Sequence, residues 1–309
     1  MTRPLIVVPV PGEGAEDVVI GTTGRDEGAV FTGTADGSIF RISHDARRID
    51  RIARTGGRPL GLELDPDGRL LVCDAHLGVL RVDTASGAVE PVTDSVDGAR
   101  MVFCNNAAIA SDGTVWFSDS TRVHPVEHWR ADFVENTTTG RLLRLTTDGT
   151  VETVLDDLRF ANGVALPVDE TFVVVAETAG RRLLRHWLAG PHQGTTETFG
   201  DDLPGYPDNI ARGSDGLIWV TIASPRNALV ERLWQGPLWV RKSVTRIPER
   251  LQPQPARTVR VQAYDDAGAL VHDLDADASG YHMATGVREH DGRVWVGSIE
   301  EPAVAVLTP

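Results

Sequence analysis

The chain reads as an all-β protein, a six-bladed β-propeller with a short helical insertion in the fifth blade, and three observations carry that reading. An aspartate-led turn recurs six times, at Asp26-Glu27-Gly28, Asp67-Gly68, Asp112-Gly113, Asp169-Glu170, Asp215-Gly216 and Asp291-Gly292. Each turn is followed by a short apolar run of strand character: Ala29-Val30-Phe31, Leu70-Leu71-Val72, Val115-Trp116-Phe117, Phe172-Val173-Val174, Ile218-Trp219-Val220 and Val294-Trp295-Val296. The copies are spaced about 40 to 76 residues apart with turn residues at each end, the period of four-stranded propeller blades.

Taken in order, Leu5-Ile6-Val7-Val8-Pro9-Val10 is a strand with no partner nearby, its proline suited to a strand end. A third strand follows the central one in most copies: Ser38–Ile42, Gly78–Val82, Gly140–Leu145, Arg182–Trp187 and Ala303–Leu307. Ala88–Val92 and Val151–Leu155 read as outer strands. In the fifth copy, Leu229, Leu233, Trp234, Leu238, Val244, Ile247 and Leu251 fall at roughly helical spacing ahead of Pro253 and Pro255. An insert over about residues 228–251 therefore either caps one face of the ring or covers an outer edge. After it, Val259–Tyr264 returns to strand spacing and leads toward the sixth blade. A ring removes exposed sheet edges, so residues 1–309 are expected to form one domain closed by pairing Leu5–Val10 with Ala303–Leu307.

The composition bounds the function. A net charge of −14 argues against nucleic acid and anionic membrane as partners and leaves a small-molecule substrate as the expectation. Cys73 and Cys104 are the only cysteines and make no CxxC pair, so two free buried thiols are expected rather than a disulfide framework or a zinc site. The apolar run at Leu5–Val10 is too short and proline-broken for a signal segment, and no run approaches the roughly 20 residues of a membrane span, so a cytoplasmic location is expected. The sequon Asn136-Thr137-Thr138 then reads as a chance match.

Counting back eight positions from the residue after each turn Asp gives Leu60, Asn105, Asn162, Asp208 and Ala284. The first copy has a longer turn. Aligning Ala15-Glu16-Asp17-Val18-Val19-Ile20 with Ala161-Asn162-Gly163-Val164-Ala165-Leu166 places Glu16 in the same column. Innermost propeller strands converge on the axis, so Glu16, Asn105, Asn162 and Asp208 would aim four oxygen ligands at one point. Two carboxylates and two amides suit a hard cation such as Ca²⁺, and the absence of Cys and His argues against zinc.

Leu203-Pro204-Gly205-Tyr206-Pro207-Asp208-Asn209-Ile210, with Phe160-Ala161-Asn162-Gly163-Val164, Glu177-Thr178 and Phe117-Ser118-Asp119-Ser120, resembles strictosidine synthase-like proteins of the senescence-marker-protein-30/gluconolactonase superfamily. The resemblance implies a six-bladed propeller and, by likeness to the superfamily's hydrolases, a catalytic divalent metal on the same four residues, Glu16, Asn105, Asn162 and Asp208. Two departures stand out. The catalytic glutamate of the plant condensing enzyme lies four positions before its Glu-His-Asp-Gly motif; here that motif starts at Glu289 and the matching residue is Thr285. Where relatives often carry Asp after the first Asn ligand, this chain has Asn106.

The implied activity is metal-dependent hydrolysis of a lactone or ester, with Asp208 as the candidate acid-base or nucleophile. His76, His124, His128 and His282, together with Trp129 and Tyr206, are candidate pocket residues. No Gly-x-Ser-x-Gly elbow is present; Ser43, Ser86, Ser111 and Ser214 all stand in turns. A condensing synthase and a non-catalytic small-molecule-binding propeller are the alternatives.

Overall fold

The computed structural model describes residues 3–247 and 256–308; Leu251, Pro253 and Pro255 of the expected insert lie outside them. Six four-stranded antiparallel sheets are arranged as successive blades. Blade one is Val19–Ile20, Val30–Gly33, Ser38–Ile42 and Ile49–Arg54; blade two is Pro59–Leu64, Leu70–Asp74, Gly78–Val82 and Val89–Thr93. Blade three is Cys104–Ile109, Val115–Asp119, Gly140–Leu145 and Val151–Leu158; blade four is Ala161–Ala165, Phe172–Glu177, Arg182–Trp187 and Thr196–Phe199. Blade five is Gly205–Arg212, Ile218–Pro225, Val259–Tyr264 and Leu270–Ala276. Val259–Tyr264 is thus the third strand of its own blade, not a lead into the next. Blade six takes Ala284–His290, Arg293–Ser298 and Ala303–Leu307 from one end of the chain and Ile6–Pro9 from the other.

That last pairing closes the ring. Ile6 lies opposite Val306 and Val8 opposite Val304 in antiparallel register, and Val8 and Val304 are buried in the core between blades six and one. The cores between blades are alternating inward residues of neighbouring sheets; Trp219, Val259 and Val261 of blade five pack with Val287, Val294 and Val296 of blade six. Cys73 and Cys104 are buried free thiols within one such core, as expected.

Three devices position the axis. In blades two to six the pairing of the two inner strands slips at the start of the innermost strand, between Pro59 and Leu62, Cys104 and Ala107, Ala161 and Val164, Pro207 and Ile210, and Ala284 and Val287. A bulge bends its strand and re-aims the side chain that stands in it; here that residue is Leu60, Asn105, Asn162, Asp208 and Thr285. The sixth member of the column is therefore Thr285 and not Ala284. The cause is the hairpin His290–Arg293, which is tighter than the other inner turns and moves the count by one.

Glycine next to the column lets inner strands approach. A Cβ at Gly163 would stand 2.1 Å from Ile210 N, and one at Gly61 would stand 2.6 Å from Asn106 Cα. Finally, an acid at the end of the second strand holds the start of the first: Arg58 N donates to Asp74 Oδ1 (3.0 Å), Phe103 N to Asp119 Oδ1 (3.0 Å) and Arg159 N to Glu177 Oε1 (2.8 Å). Asp119 is also paired with Arg141, both buried, an arrangement in which loss of one partner costs about 3–5 kcal/mol.

Two inserts rise from one face. Blade three sends out Trp129–Glu135, a helix ended by Asn136 in the left-handed conformation (φ 52°) and not read from the sequence. Blade five sends out Ala228–Trp234, started by Asn227, whose Oδ1 accepts from Leu229 N and Val230 N, and then Leu238–Thr245 after Pro237. These helices dock on one another. Trp234 Nε1 donates to Phe133 O (3.0 Å), Thr245 Oγ1 to Glu135 Oε1 (3.1 Å), and Phe133 meets Tyr206 and Trp234 edge-on at 4.8 and 5.3 Å between ring centroids. Of the two placements open for the blade-five insert, it caps the face.

Candidate metal centre and its cavity

Beneath this roof lies a cavity of about 150 Å³ whose lining includes Glu16, Leu60, Asn105, Asn162 and Asp208. The structure thus brings Glu16, Asn105, Asn162 and Asp208 to one place, while Thr285, the sixth member of the column, is not among the lining residues. The two amides are held in a defined sense. Asn105 Nδ2 donates to Ser120 Oγ (2.8 Å), which donates to Ala161 O (2.7 Å); Asn162 Nδ2 donates to Thr178 Oγ1 (3.1 Å), which donates to Pro207 O (2.7 Å). Each hydroxyl ties a ligand-bearing blade to the next one. With their N–H groups so used, Asn105 Oδ1 and Asn162 Oδ1 are buried without a hydrogen-bond partner, and so is Glu16 Oε2.

Buried oxygens left unpaired are costly, and here they stand beside an already crowded set of carboxyls. Burial pushes the Glu16 carboxyl well above the usual range, with repulsion from Asp17 and Asp208 adding to it and Arg58 partly offsetting it. Burial likewise raises Asp208 to about 7, opposed by hydrogen bonding from Asn162 and reinforced by Asp17, and raises Asp17 to about 7 against the pull of Arg288. Three orphan oxygens and mutually repelling carboxyls are what a bound cation would satisfy. Among the described residues no group of three or more His, Cys, Asp or Glu is placed to hold a metal ion, so the centre offers two carboxylates, Glu16 and Asp208, with two amide oxygens.

A second ring of contacts fixes Glu16. Asn209 Nδ2 donates to Glu16 Oε1 (3.0 Å), and Thr285 Oγ1 donates to the Glu16 main-chain oxygen (2.9 Å). Asn106 keeps a bridging role: its Oδ1 accepts from Val164 N (2.9 Å) and its Nδ2 donates to Asp17 Oδ2 (3.4 Å). Asn209, Ser120 and Thr178 stand within the sequence motifs quoted above, which assign them no role. The repeat carries a signal for the hydroxyls, because the column reads Asn where the residue after the second-strand acid is Ser120 or Thr178, and Leu60 where it is Ala75.

The upper walls are apolar: Phe103, Phe160, Trp129, Phe133, Val134, Leu229, Leu233 and Val244. Trp129 and Tyr206 line the cavity, and Tyr206 Oη accepts from Asn227 N (3.0 Å). The four histidines are not among the lining residues. His76 Nε2 is engaged by Glu127 Oε1 (2.6 Å), His124 Nε2 by Glu135 Oε2 (3.1 Å), and His282 by Glu300 (3.1 Å) and Glu301; His128 precedes the blade-three helix. Ser43, Ser86, Ser111 and Ser214 donate to Asp45, Asp83, Glu170 and Glu289, so each hydroxyl serves a turn.

These features define a class: a six-bladed propeller with an oxygen-lined axial centre under a helical roof. The chain belongs to the strictosidine synthase family. The family model described as strictosidine synthase matches residues 105–191, from the first axial asparagine through most of blade four. The chain is 33% identical over 306 residues to an adipocyte plasma membrane-associated protein of Salmo salar, covering 90% of this chain and 72% of that one. It is 34% identical over 262 residues to the protein strictosidine synthase-like 10 of Arabidopsis thaliana, covering 81% and 69%. Two solved structures share the fold: a gluconolactonase from Xanthomonas campestris (TM-score 0.71, 16% identity, 98% of this chain and 89% of that one) and the calcium-binding protein regucalcin from Agrobacterium tumefaciens (TM-score 0.68, 15% identity, 99% and 95%).

Proposed function

We propose that the protein is a metal-dependent hydrolase of small esters or lactones, and that its metal is Ca²⁺. The observation that carries this reading is the trio of unpaired buried oxygens, Glu16 Oε2, Asn105 Oδ1 and Asn162 Oδ1, beside Asp208 on the floor of an apolar cavity. Glu16, Asn105, Asn162 and Asp208 would hold the ion, an all-oxygen set of the kind hard cations take. The two structural relatives, a gluconolactonase and a calcium-binding protein, support the same assignment. When bound, the cation would supply polarisation of a carbonyl and stabilisation of the charge that develops on its oxygen.

The chain's own residues do the rest. Asp208, a buried carboxylate on the cavity floor beside the site of the ion, is the proton acceptor for the attacking water. Ser120 and Thr178 hold the Asn105 and Asn162 amides with oxygen toward the cavity. Trp129, Phe133, Tyr206 and Leu233 orient an apolar acyl or aryl group and exclude bulk water. Thr285 is buried, with its hydroxyl spent on a main-chain oxygen, so no carboxylate stands where the condensing enzymes place theirs.

The test is hydrolysis of phenyl acetate and simple γ- and δ-lactones by metal-loaded protein, by protein treated with chelator, and after Ca²⁺ is added back. Activity that disappears with chelator and returns with Ca²⁺, while circular dichroism is unchanged, supports the reading. Full activity in chelator, or a fluorophosphonate label on one serine such as cavity-lining Ser224, overturns it.

A further inference from the structure

The roof has a second face. Along Leu238–Thr245 the helical period turns Arg241, Val244 and Thr245 inward: Val244 lines the cavity, Thr245 Oγ1 donates to Glu135 Oε1, and Arg241 bonds the Glu135 main-chain oxygen. The same period turns Trp239 and Lys242 outward, with Arg246 following on the same side, and Leu238 opens the helix half-exposed at its first turn. Leu238 is 45% exposed, Trp239 72% and, on the neighbouring helix, Leu229 56%. Neither helix has a fully buried residue. Apolar side chains grouped in this way mark an interaction surface.

Charge narrows the occupant. Residues Arg226 to Ile247 hold five basic side chains and one acid in a chain whose net charge is −14, and Lys242 is the only lysine in the sequence. Arg226 is committed to Glu231 at 2.9 Å, whereas exposed Arg232, Lys242 and Arg246 form no ion pair among the described residues. We propose that this outer face of the roof docks onto an anionic lipid–water interface, with Trp239, Leu238 and Leu229 entering the headgroup region and Arg232, Lys242 and Arg246 meeting phosphate groups.

The acidic remainder of the molecule does not oppose this, because charges more than about 10 Å away are screened at moderate ionic strength. A second copy of the chain fits the face poorly: a two-fold pairing would set cationic side chains against their own kind. Leu229 both lines the cavity and lies on the exposed face, so docking sets the roof of the cavity against lipid. This inference stands apart from the hydrolytic reading and is tested without any assay of activity.

The experiment is flotation of the full chain with vesicles of phosphatidylcholine alone and of equimolar phosphatidylcholine and phosphatidylglycerol, at low and high salt. Binding is expected to the anionic vesicles, lost in high salt. Removal of one cation weakens it roughly fivefold, so Lys242→Glu combined with Arg246→Glu is expected to weaken it by at least about twentyfold. Trp239→Ser is expected to weaken it about tenfold. All three positions are exposed, and an unchanged thermal transition verifies the fold. Val168→Ser is the control: Val168 is 64% exposed in the inner turn of blade four, at the end of its strand away from the cavity, and its loss is expected to leave flotation unaltered. No flotation of the unaltered protein, equal flotation of the Trp239 and Lys242/Arg246 variants, equal weakening by Val168→Ser, or Trp239-dependent dimerisation or capture of an acidic soluble protein without lipid binding would each overturn the proposal.

Discussion

The orientation of two amides decides what the axial centre can bind. Asn105 and Asn162 each present either an N–H pair or an oxygen to the cavity, and one hydroxyl apiece, Ser120 and Thr178, selects the oxygen. Asn105, Asn162 and Asp208 were legible because a turn recurs eight residues after each of them, and Glu16 because its segment aligns with the one around Asn162. The hydroxyls were not, because they come from a different strand and acquire their meaning only when the strands pair. Thr178→Val is expected to free the Asn162 amide and lower Ca²⁺ affinity about 10- to 100-fold, with about 1–3 kcal/mol of stability lost as Pro207 O goes unsatisfied. Asp208→Ala removes a carboxylate of the proposed centre and is expected to abolish tight binding. Titration calorimetry on both variants is the check; unchanged affinity in either removes that residue from the centre.

The raised carboxyls give a second expectation for the metal-free protein. Asp17 and Asp208 titrate near 7 when folded and near 4 when unfolded, so the folded state holds its protons more tightly. Their contribution to stability is complete below about pH 4 and is lost as the pH rises through about 7. Thermal unfolding in chelator should therefore show a transition that falls between about pH 5 and 8, and saturating Ca²⁺ should flatten that fall by replacing the protons. A metal-free transition that climbs over the same interval would contradict the placement of these groups.

The strands were legible one by one, since Leu70-Leu71-Val72 and Ile218-Trp219-Val220 leave little choice of structure. The elements that shape the cavity were harder. Trp129–Glu135 is two turns long and its apolar residues, Trp129, Phe133 and Val134, show no run of period to read. Its helical state comes from docking: Phe133 is held by Tyr206 and Trp234 and its main-chain oxygen by Trp234 Nε1. The surroundings of the histidines are illegible for the same reason, because nothing in the sequence tells that Glu127 and Glu135 take His76 and His124. Trp234→Ala removes the edge contacts and the hydrogen bond that join the two inserts, each contact worth about 0.5–1.5 kcal/mol. Amide exchange within Trp129–Glu135 is expected to accelerate at least about tenfold while the axial Ca²⁺ affinity is unchanged. Equal protection in the variant would show that the roof is held from elsewhere.

Closure depends on a strand distant in sequence from its partners. Ile6–Pro9 supplies the fourth strand of blade six, and its Val8 is buried with Val304 and Val30, tying blades six and one together. The pairing was legible because Leu5–Val10 had the content of a strand and no neighbour, and a propeller with an unpaired edge is a poor solution for a soluble ring. Deleting residues 1–10 exposes the edge of Ala303–Leu307 and uncovers the apolar layer against blade one. Blade six also carries Thr285, whose hydroxyl holds the Glu16 main chain, so the damage should reach the axis. The truncated chain is expected to unfold at a transition lower by several degrees, roughly 2–4 °C for each kcal/mol lost in a chain of this size, to lose Ca²⁺ affinity, and to self-associate through the open edge in sedimentation velocity. A synthetic peptide of residues 1–10 added in excess should restore the monomer and raise the transition, because the missing strand binds only the folded ring. A truncated protein with the transition and Ca²⁺ affinity of the full chain would mean that five closed blades and a three-stranded sixth suffice, and that the Ile6–Pro9 pairing is dispensable.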